Sequence, residues 1–166
     1  MIAATPMILN PKRLRANRAF TLIELVIVIV IIGVIAAIAV PRMSRGAKGA
    51  SEGGLTADLA VMRNAIELYK AEHGGTPPTL ANFVAQMTQY SDVNGGTSAT
   101  KDATHIYGPY LREIPTLKVG TGKGVNAVIG AADGTGGWVY NQTAGTIVVN
   151  LLAAETDDSG TPYNSY

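Results

Sequence analysis

RAFTLIELVIVIVIIGVIAAIAVP, residues 18–41, decides how this chain is read. From Leu25 to Val40, sixteen consecutive residues carry no charge and no strongly polar group, and Phe20 to Ile23 extend the apolar character upstream. Glu24 is the only charge between Phe20 and Val40. That stretch is twenty-one residues long, and at ~1.5 Å rise per residue a helix of that length matches the ~30 Å hydrocarbon core of a bilayer. Lys12, Arg13, Arg15 and Arg18 precede the run with no acidic residue among them, whereas Arg42, Arg45 and Lys48 follow it. The positive-inside count favours a cytoplasmic N-terminus by a single charge.

Two readings of the first forty residues follow. In one, the basic segment and apolar run form a secretory signal peptide, with Ala37-Ile38-Ala39 as the small-residue cleavage site. A cut after Ala39 would release a soluble exported domain, for example a binding module. In the other, the run stays in the mature protein and Glu24 has a purpose. A carboxylate in a spanning helix is costly and marks function with a nameable partner. A cut between Ala19 and Phe20 would create an α-amino group four residues before Glu24, one helical turn away. That cation could meet the carboxylate of its own chain or of a neighbour in an assembly. The second pairing would set register, as a buried polar residue does in coiled coils.

AFTLIELVIVIVIIGVIAAIAVP resembles the N-terminal signature of type IV pilins and of the pseudopilins of type II secretion systems, most closely a major pseudopilin. The likeness covers the basic leader, Phe20-Thr21-Leu22-Ile23-Glu24-Leu25, the apolar helix and Pro41. It implies that a prepilin peptidase cuts between Ala19 and Phe20 and that Phe20 is then N-methylated. Ala19 stands where the family usually has Gly. The resemblance further implies that Glu24 and Phe20 act in subunit assembly, Glu24 docking an incoming subunit into the filament. Gly33 and Pro41 weaken an α-helix, by backbone entropy and by a missing donor with a steric clash. The family implies that such soft points bend or melt when subunits pack; alternatively Gly33 is ordinary for a membrane helix and Pro41 marks the helix's end at the interface.

The rest of the chain reads as a small α+β head. RMSRGAKGASEGG is either a flexible neck or a poorly packed length of helix. Leu55, Leu59, Met62, Ile66 and Tyr69 then recur at helical spacing, a core-facing stripe ended by Gly74-Gly75 and Pro77-Pro78. Thr79 is expected to cap a short helix, TLANFVAQMTQY, with Leu80, Phe83, Val84, Met87 and Tyr90 inward. SDVNGGTSATKDATH reads as a surface loop. YGPYLREIPTL resembles the passage from helix to sheet in pseudopilin-like proteins. Val125 to Ala131, Gly137 to Asn141 and Thr146 to Leu152 read as three strands of an antiparallel meander, packed under the amphipathic helix. GWVYNQTAGTIVVN looks like the family's terminal hairpin.

The expected organisation is a cytoplasmic leader (1–19), a transmembrane and filament-core helix (20–41), a neck (42–54) and a globular α+β head (55–166). The expected fold is α+β: a long hydrophobic spine helix continues into an amphipathic helix packed on a small antiparallel sheet, the pilin fold.

Chemistry is sparse. The absence of Cys excludes thiol catalysis and thiolate metal sites. His73 and His105 lack a second ligand at metal spacing, and His73 reads as a surface histidine near a helix end. GTGKG at Gly120 to Gly124 fails as a phosphate loop, because Gly124 replaces the magnesium-binding hydroxyl and Leu117 the first Gly. Asn141-Gln142-Thr143 fits a glycosylation sequon but reads more simply as a turn. Glu155, Asp157 and Asp158, near Ser159, are hard oxygen ligands of the kind calcium takes, and the family is known for a C-terminal calcium site; a solvated acidic tail is the simpler reading. No enzyme activity and no resident cofactor are expected. From Phe20 onward nine basic and twelve acidic residues are interspersed, so no nucleic-acid footprint exists.

The resemblance implies a homo-oligomeric helical filament, with a prepilin peptidase, an assembly platform and its ATPase as partners. It places the chain in the inner (cytoplasmic) membrane, single-pass with a periplasmic head, and then in a filament in the periplasm or at the cell surface. A pseudopilus is favoured over a surface pilus, because many adhesive pilins close a C-terminal loop with a disulfide and this chain has no Cys.

Overall fold

The computed structural model describes residues 20–166. The leader, 1–19, with the Ala19 side of the expected cleavage site, lies outside the described residues. The chain divides into two compact units between Arg42 and Met43.

Helix α1 spans Leu22–Glu72. In the first unit its large apolar side chains, from Leu22 to Val40, are 43% to 80% exposed, and Phe20 ahead of it is exposed as well. A surface this apolar needs lipid or other chains to cover it. The helix runs on through Gly33 and Pro41, so Pro41 does not end it. Residues 42–54 are helical as well, which resolves the neck in favour of helix.

In the second unit the expected stripe is the core. Leu55, Leu59, Met62, Ile66 and Tyr69 are each at most 2% exposed. The helix stops as its glycines require: Gly74 takes φ +63°, and the Gly75 amide donates to the Lys70 carbonyl at 2.7 Å. That is a Schellman closure, with Gly at the left-handed position where a Cβ would be strained.

A 3-10 turn at Leu80–Asn82 leads into α2, Phe83–Thr88. Phe83 and Met87 point into the core as expected, but Val84 is 52% exposed. The inward face of this short helix is made by Phe83, Gln86 and Met87, so Gln86 takes an inward place and Val84 does not. Thr79 makes no side-chain cap. Instead the buried Gln86 Oε1 accepts from the Thr79 amide at 2.8 Å and its hydroxyl at 3.3 Å.

The helix ends at Thr88, and Tyr90, expected on its inward face, instead begins a short antiparallel ribbon, β1 (Tyr90–Ser91) with β2 (Thr97–Ser98), that runs into the segment read as a surface loop. Asp92 closes it by accepting the amides of Asn94 and Gly96 at 2.8 and 2.9 Å. Leu111, Ile114 and Leu117 then carry the chain along the core to the main sheet.

That sheet has the order β3 (Val128–Ile129), β4 (Trp138–Asn141), β5 (Thr146–Val149). β4 and β5 form the expected antiparallel hairpin, with Trp138 opposite Val149 and Tyr140 opposite Ile147, all buried. β3 departs from the expected meander, because it pairs with β4 in parallel. The connecting loop does not turn back as a hairpin. Asn150, fully buried, holds it in a wide curve: its Oδ1 accepts the amides of Asp133 and Gly134, while its Nδ2 donates to Asp133 Oδ1 and to the Gly136 carbonyl. Gly136 crosses Gly122 so closely that a Cβ on either would run into the other's Cα.

The C-terminal stretch is not a loose acidic tail. A second 3-10 turn, Tyr163–Ser165, follows an antiparallel bridge between Thr156 and Pro162, and buries Tyr163 in the core. The observed class is the expected α+β, a long N-terminal helix with a small sheet, consistent with a pilin fold.

Candidate functional site

Of the residues singled out in the sequence, Phe20, Glu24, Gly33 and Pro41 lie within the described residues. Glu24 has an immediate partner. Its Oε2 accepts from the Thr21 amide at 2.8 Å and from the Thr21 hydroxyl at 2.7 Å. In return the Glu24 amide donates to Thr21 Oγ1 at 3.3 Å. Thr21 precedes the first helical residue and its carbonyl accepts from the Leu25 amide, so Thr21 is the N-cap and Glu24 the third helical residue. This is a capping box, in which two otherwise unpaired donors of the first turn are satisfied reciprocally. Its signal, Thr-x-x-Glu before an apolar run, stands in the sequence.

The two Thr21 contacts both fall on Oε2. The carboxylate also sits in the first turn, where the helix dipole favours negative charge. Its position therefore has a local cause, and charge remains for a further cation. Gly33 meets nothing: a Cβ built there has no atom within 4 Å. No close approach within this chain demands a glycine at that position.

The other candidates sort differently. His73 is 5% exposed, a buried residue and not the surface histidine expected. Its ring stacks on Tyr69 and both nitrogens meet backbone carbonyls. His105 Nδ1 lies 2.8 Å from Asp102 Oδ2. The three acidic residues considered for calcium are each committed elsewhere. Glu155 accepts from the Thr121 amide and hydroxyl at 2.7 and 2.9 Å. Asp157 accepts the amides of Ser159 and Thr161 and the Tyr166 hydroxyl, which holds its carboxyl below the usual range. Asp158 pairs with Lys48, whose ammonium is raised by that contact. Among the described residues no three His, Asp or Glu side chains gather as a metal site. Asn141 Oδ1 accepts the Ala144 amide, the turn role read for it.

Among the described residues α1 is also the one helix long and apolar enough to cross a membrane. No curated protein and no solved structure matched this chain in comparison. A family model described as the prokaryotic N-terminal methylation motif matches residues 14–40, which include the Ala19–Phe20 junction, the capping box and the apolar run. The motif implies processing by a prepilin peptidase and filament assembly, and with the apolar helix it points to membrane anchoring. This chain thus carries the N-terminal methylation motif that is the signature of type IV pilins and pseudopilins.

Proposed function

We propose that this chain is the precursor of a structural subunit of a type IV pilus-like filament, a pseudopilin of a type II secretion system. Peptide-bond hydrolysis between Ala19 and Phe20 leaves a new amine, which is methylated. The observation that carries the reading is the conjunction of the methylation motif at 14–40 with the exposed apolar side chains of α1 between Leu22 and Val40.

In this reading the leader stays cytoplasmic and the mature chain crosses the inner membrane once, its head in the periplasm. Glu24, already fixed by Thr21, meets the Phe20 amine of a neighbouring copy as that copy docks. In a low-dielectric environment such a pair is far stronger than in water, and a misplaced subunit leaves a charge unpaired. The apolar helices then cover one another, with Gly33 and Pro41 as points that yield during packing. Assembly draws on a membrane platform and an ATPase. The lack of Cys supports a pseudopilus over an adhesive pilus closed by a disulfide. The chain's role is structural, and neither a resident metal nor another cofactor enters it.

The test is the N-terminal sequence and intact mass of the mature protein, taken from the envelope fraction of its host. A chain beginning at N-methylated Phe20 is expected. A chain beginning at Val40 would overturn the reading in favour of a secretory signal peptide and a soluble exported domain.

A further inference from the structure

Residues 46–54 of α1, GAKGASEGG, have little of their own to keep them helical. Four of the nine are glycine, the poorest helix former after proline, and none carries a large apolar side chain. Residues 42–50 are each exposed, and the core begins only at Leu55. Neither propensity nor burial therefore holds this length. Nor does close packing call for the glycines: a Cβ at Gly46, Gly49 or Gly53 has no atom within 4 Å.

The C-terminal stretch reaches this segment through two polar contacts. Asp158 Oδ1 lies 2.5 Å from Lys48 Nζ, and the Tyr163 hydroxyl donates to Glu52 Oε1 at 2.8 Å. Lys48 and Glu52 stand four residues apart on one helix face, 3.6 Å from each other, so the two contacts bracket a single turn. The stretch that makes them is itself firmly held. The Tyr163 ring is buried in the core, Thr156 bridges Pro162, and Glu155 accepts the Thr121 amide and hydroxyl. Lys118 also reaches the helix, but at the end of the segment, where a Cβ on Gly54 would strike its side chain and its ammonium pairs with Asp58. A cleft of about 270 Å³, lined by Ala47, Lys48 and Ser51 on the helix and by Lys123 and Tyr163 opposite, opens beside the two contacts. The C-terminal stretch is thus tied to the turn by polar groups beside solvent, and such exposed ties are weak and yield to salt.

We propose that residues 155–163 form a strap that keeps residues 46–54 helical, and that when its two ties part this length opens as a joint between the apolar run and the head. The helical part of the core starts beyond the joint, at Leu55, so opening leaves the core intact. The use of such a joint as subunits pack rests on the filament reading. The strap does not, and it is tested in the single chain.

Hydrogen exchange on the full chain in detergent micelles is the test, read at the Ala50 to Gly53 amides and, for comparison, at the Leu59 to Ile66 amides. Asp158→Asn combined with Tyr163→Phe removes both ties from outside the helix and keeps the buried ring. Protection of the Ala50 to Gly53 amides is expected to fall about tenfold, with that of Leu59 to Ile66 unchanged. Adding Gly49→Ala, whose Cβ meets nothing, is expected to restore most of the loss, because helix propensity then replaces the strap. Asp158→Asn alone, at an exposed side chain, is expected to give a smaller fall at the same amides. Unchanged protection of Ala50 to Gly53 in the double variant overturns the strap. So does an equal fall at Leu59 to Ile66, which would be a loss of stability by the whole head. The mature N-terminus decides the filament reading and this exchange pattern decides the strap, so either can fail alone.

Discussion

Thr21 and Glu24 hold each other across the first turn of α1, two donors of Thr21 meeting one carboxylate oxygen and the Glu24 amide returning to the Thr21 hydroxyl. One side chain thus serves as a helix cap and remains a charge available to a partner. The two roles separate by substitution. Glu24→Gln keeps a capping-box acceptor and loses the charge; Thr21→Ala keeps the charge and removes the cap. Circular dichroism in micelles is expected to show a helix start close to wild type for Glu24→Gln. Thr21→Ala costs about 1 kcal/mol at that terminus. Filament incorporation is expected to collapse in Glu24→Gln. Normal assembly of that variant would mean the carboxylate is only a cap.

Asn150 has all four of its hydrogen-bonding positions filled by the loop between β3 and β4. Asn150→Leu keeps a side chain of similar bulk but leaves the amides of Asp133 and Gly134 and the Gly136 carbonyl unpaired. The Gly136 carbonyl is buried, and such a group left unpaired costs about 1–3 kcal/mol, whereas the Asp133 and Gly134 amides lie nearer solvent, so a loss of about 2 kcal/mol is expected in denaturant unfolding. A change within about 0.5 kcal/mol, the size of an ordinary surface substitution, would show the loop holds itself without Asn150.

The two faces of α1 in the head make a paired comparison. Leu59 is 2% exposed and Val61, two residues on, is 52% exposed. Leu59→Ala is expected to cost about 2–5 kcal/mol and Val61→Ala about 0.5 kcal/mol or less. Equal losses would place α1 in a different rotation from the one described.

Legibility in the sequence followed the range of the interaction. Leu55 to Tyr69 could be read because a helix turns hydrophobic spacing into a buried face within one segment. Residues 14–40 could be read because the methylation motif and the apolar run are both contained in one linear stretch. The direction of β3 could not, since it depends on Asn150, far along the chain, filling a loop whose Asp-Gly-Thr-Gly resembles a hairpin turn. His73 was misplaced for a related reason: its burial comes from Tyr107 and Tyr110 folding over a helix end that, by local sequence, belongs at the surface. Val84 and Thr79 were misassigned because one buried glutamine, Gln86, took both the inward position and the capping contact.

Four aspartates, Asp92, Asp102, Asp133 and Asp157, anchor turns and all have carboxyls held below their ordinary value of 3.8. The leading causes are the Gly96 amide, the His105 amide, the Asn150 side chain and the Tyr166 hydroxyl respectively. A group depressed in the folded state contributes stability above its unfolded value and loses it as pH falls through the folded one. The head's Tm is therefore expected to hold from neutrality to about pH 4 and to drop below it. Asp102→Asn, which keeps an acceptor without a titrating proton, is expected to flatten part of that drop. A Tm that stays level below pH 4 would show that these turns do not depend on ionisation.

Gly33 offers the sharpest separation of what one chain needs from what an assembly needs. A Cβ at that position meets nothing within 4 Å, and α1 is helical on both sides of it. In the single chain Gly33→Ala therefore has only the backbone term to change, and it gains about 1 kcal/mol of helix stability. Helicity in micelles is expected to rise and the head to melt unchanged. If Gly33 is a point that yields as helices pack, the same substitution is expected to slow or block filament growth while leaving membrane insertion and cleavage at Phe20 intact. Growth at the wild-type rate would instead make Gly33 an ordinary residue of a membrane helix. The distinction rests on one physical point: a gain in monomer order opposes assembly only where assembly requires that order to be given up.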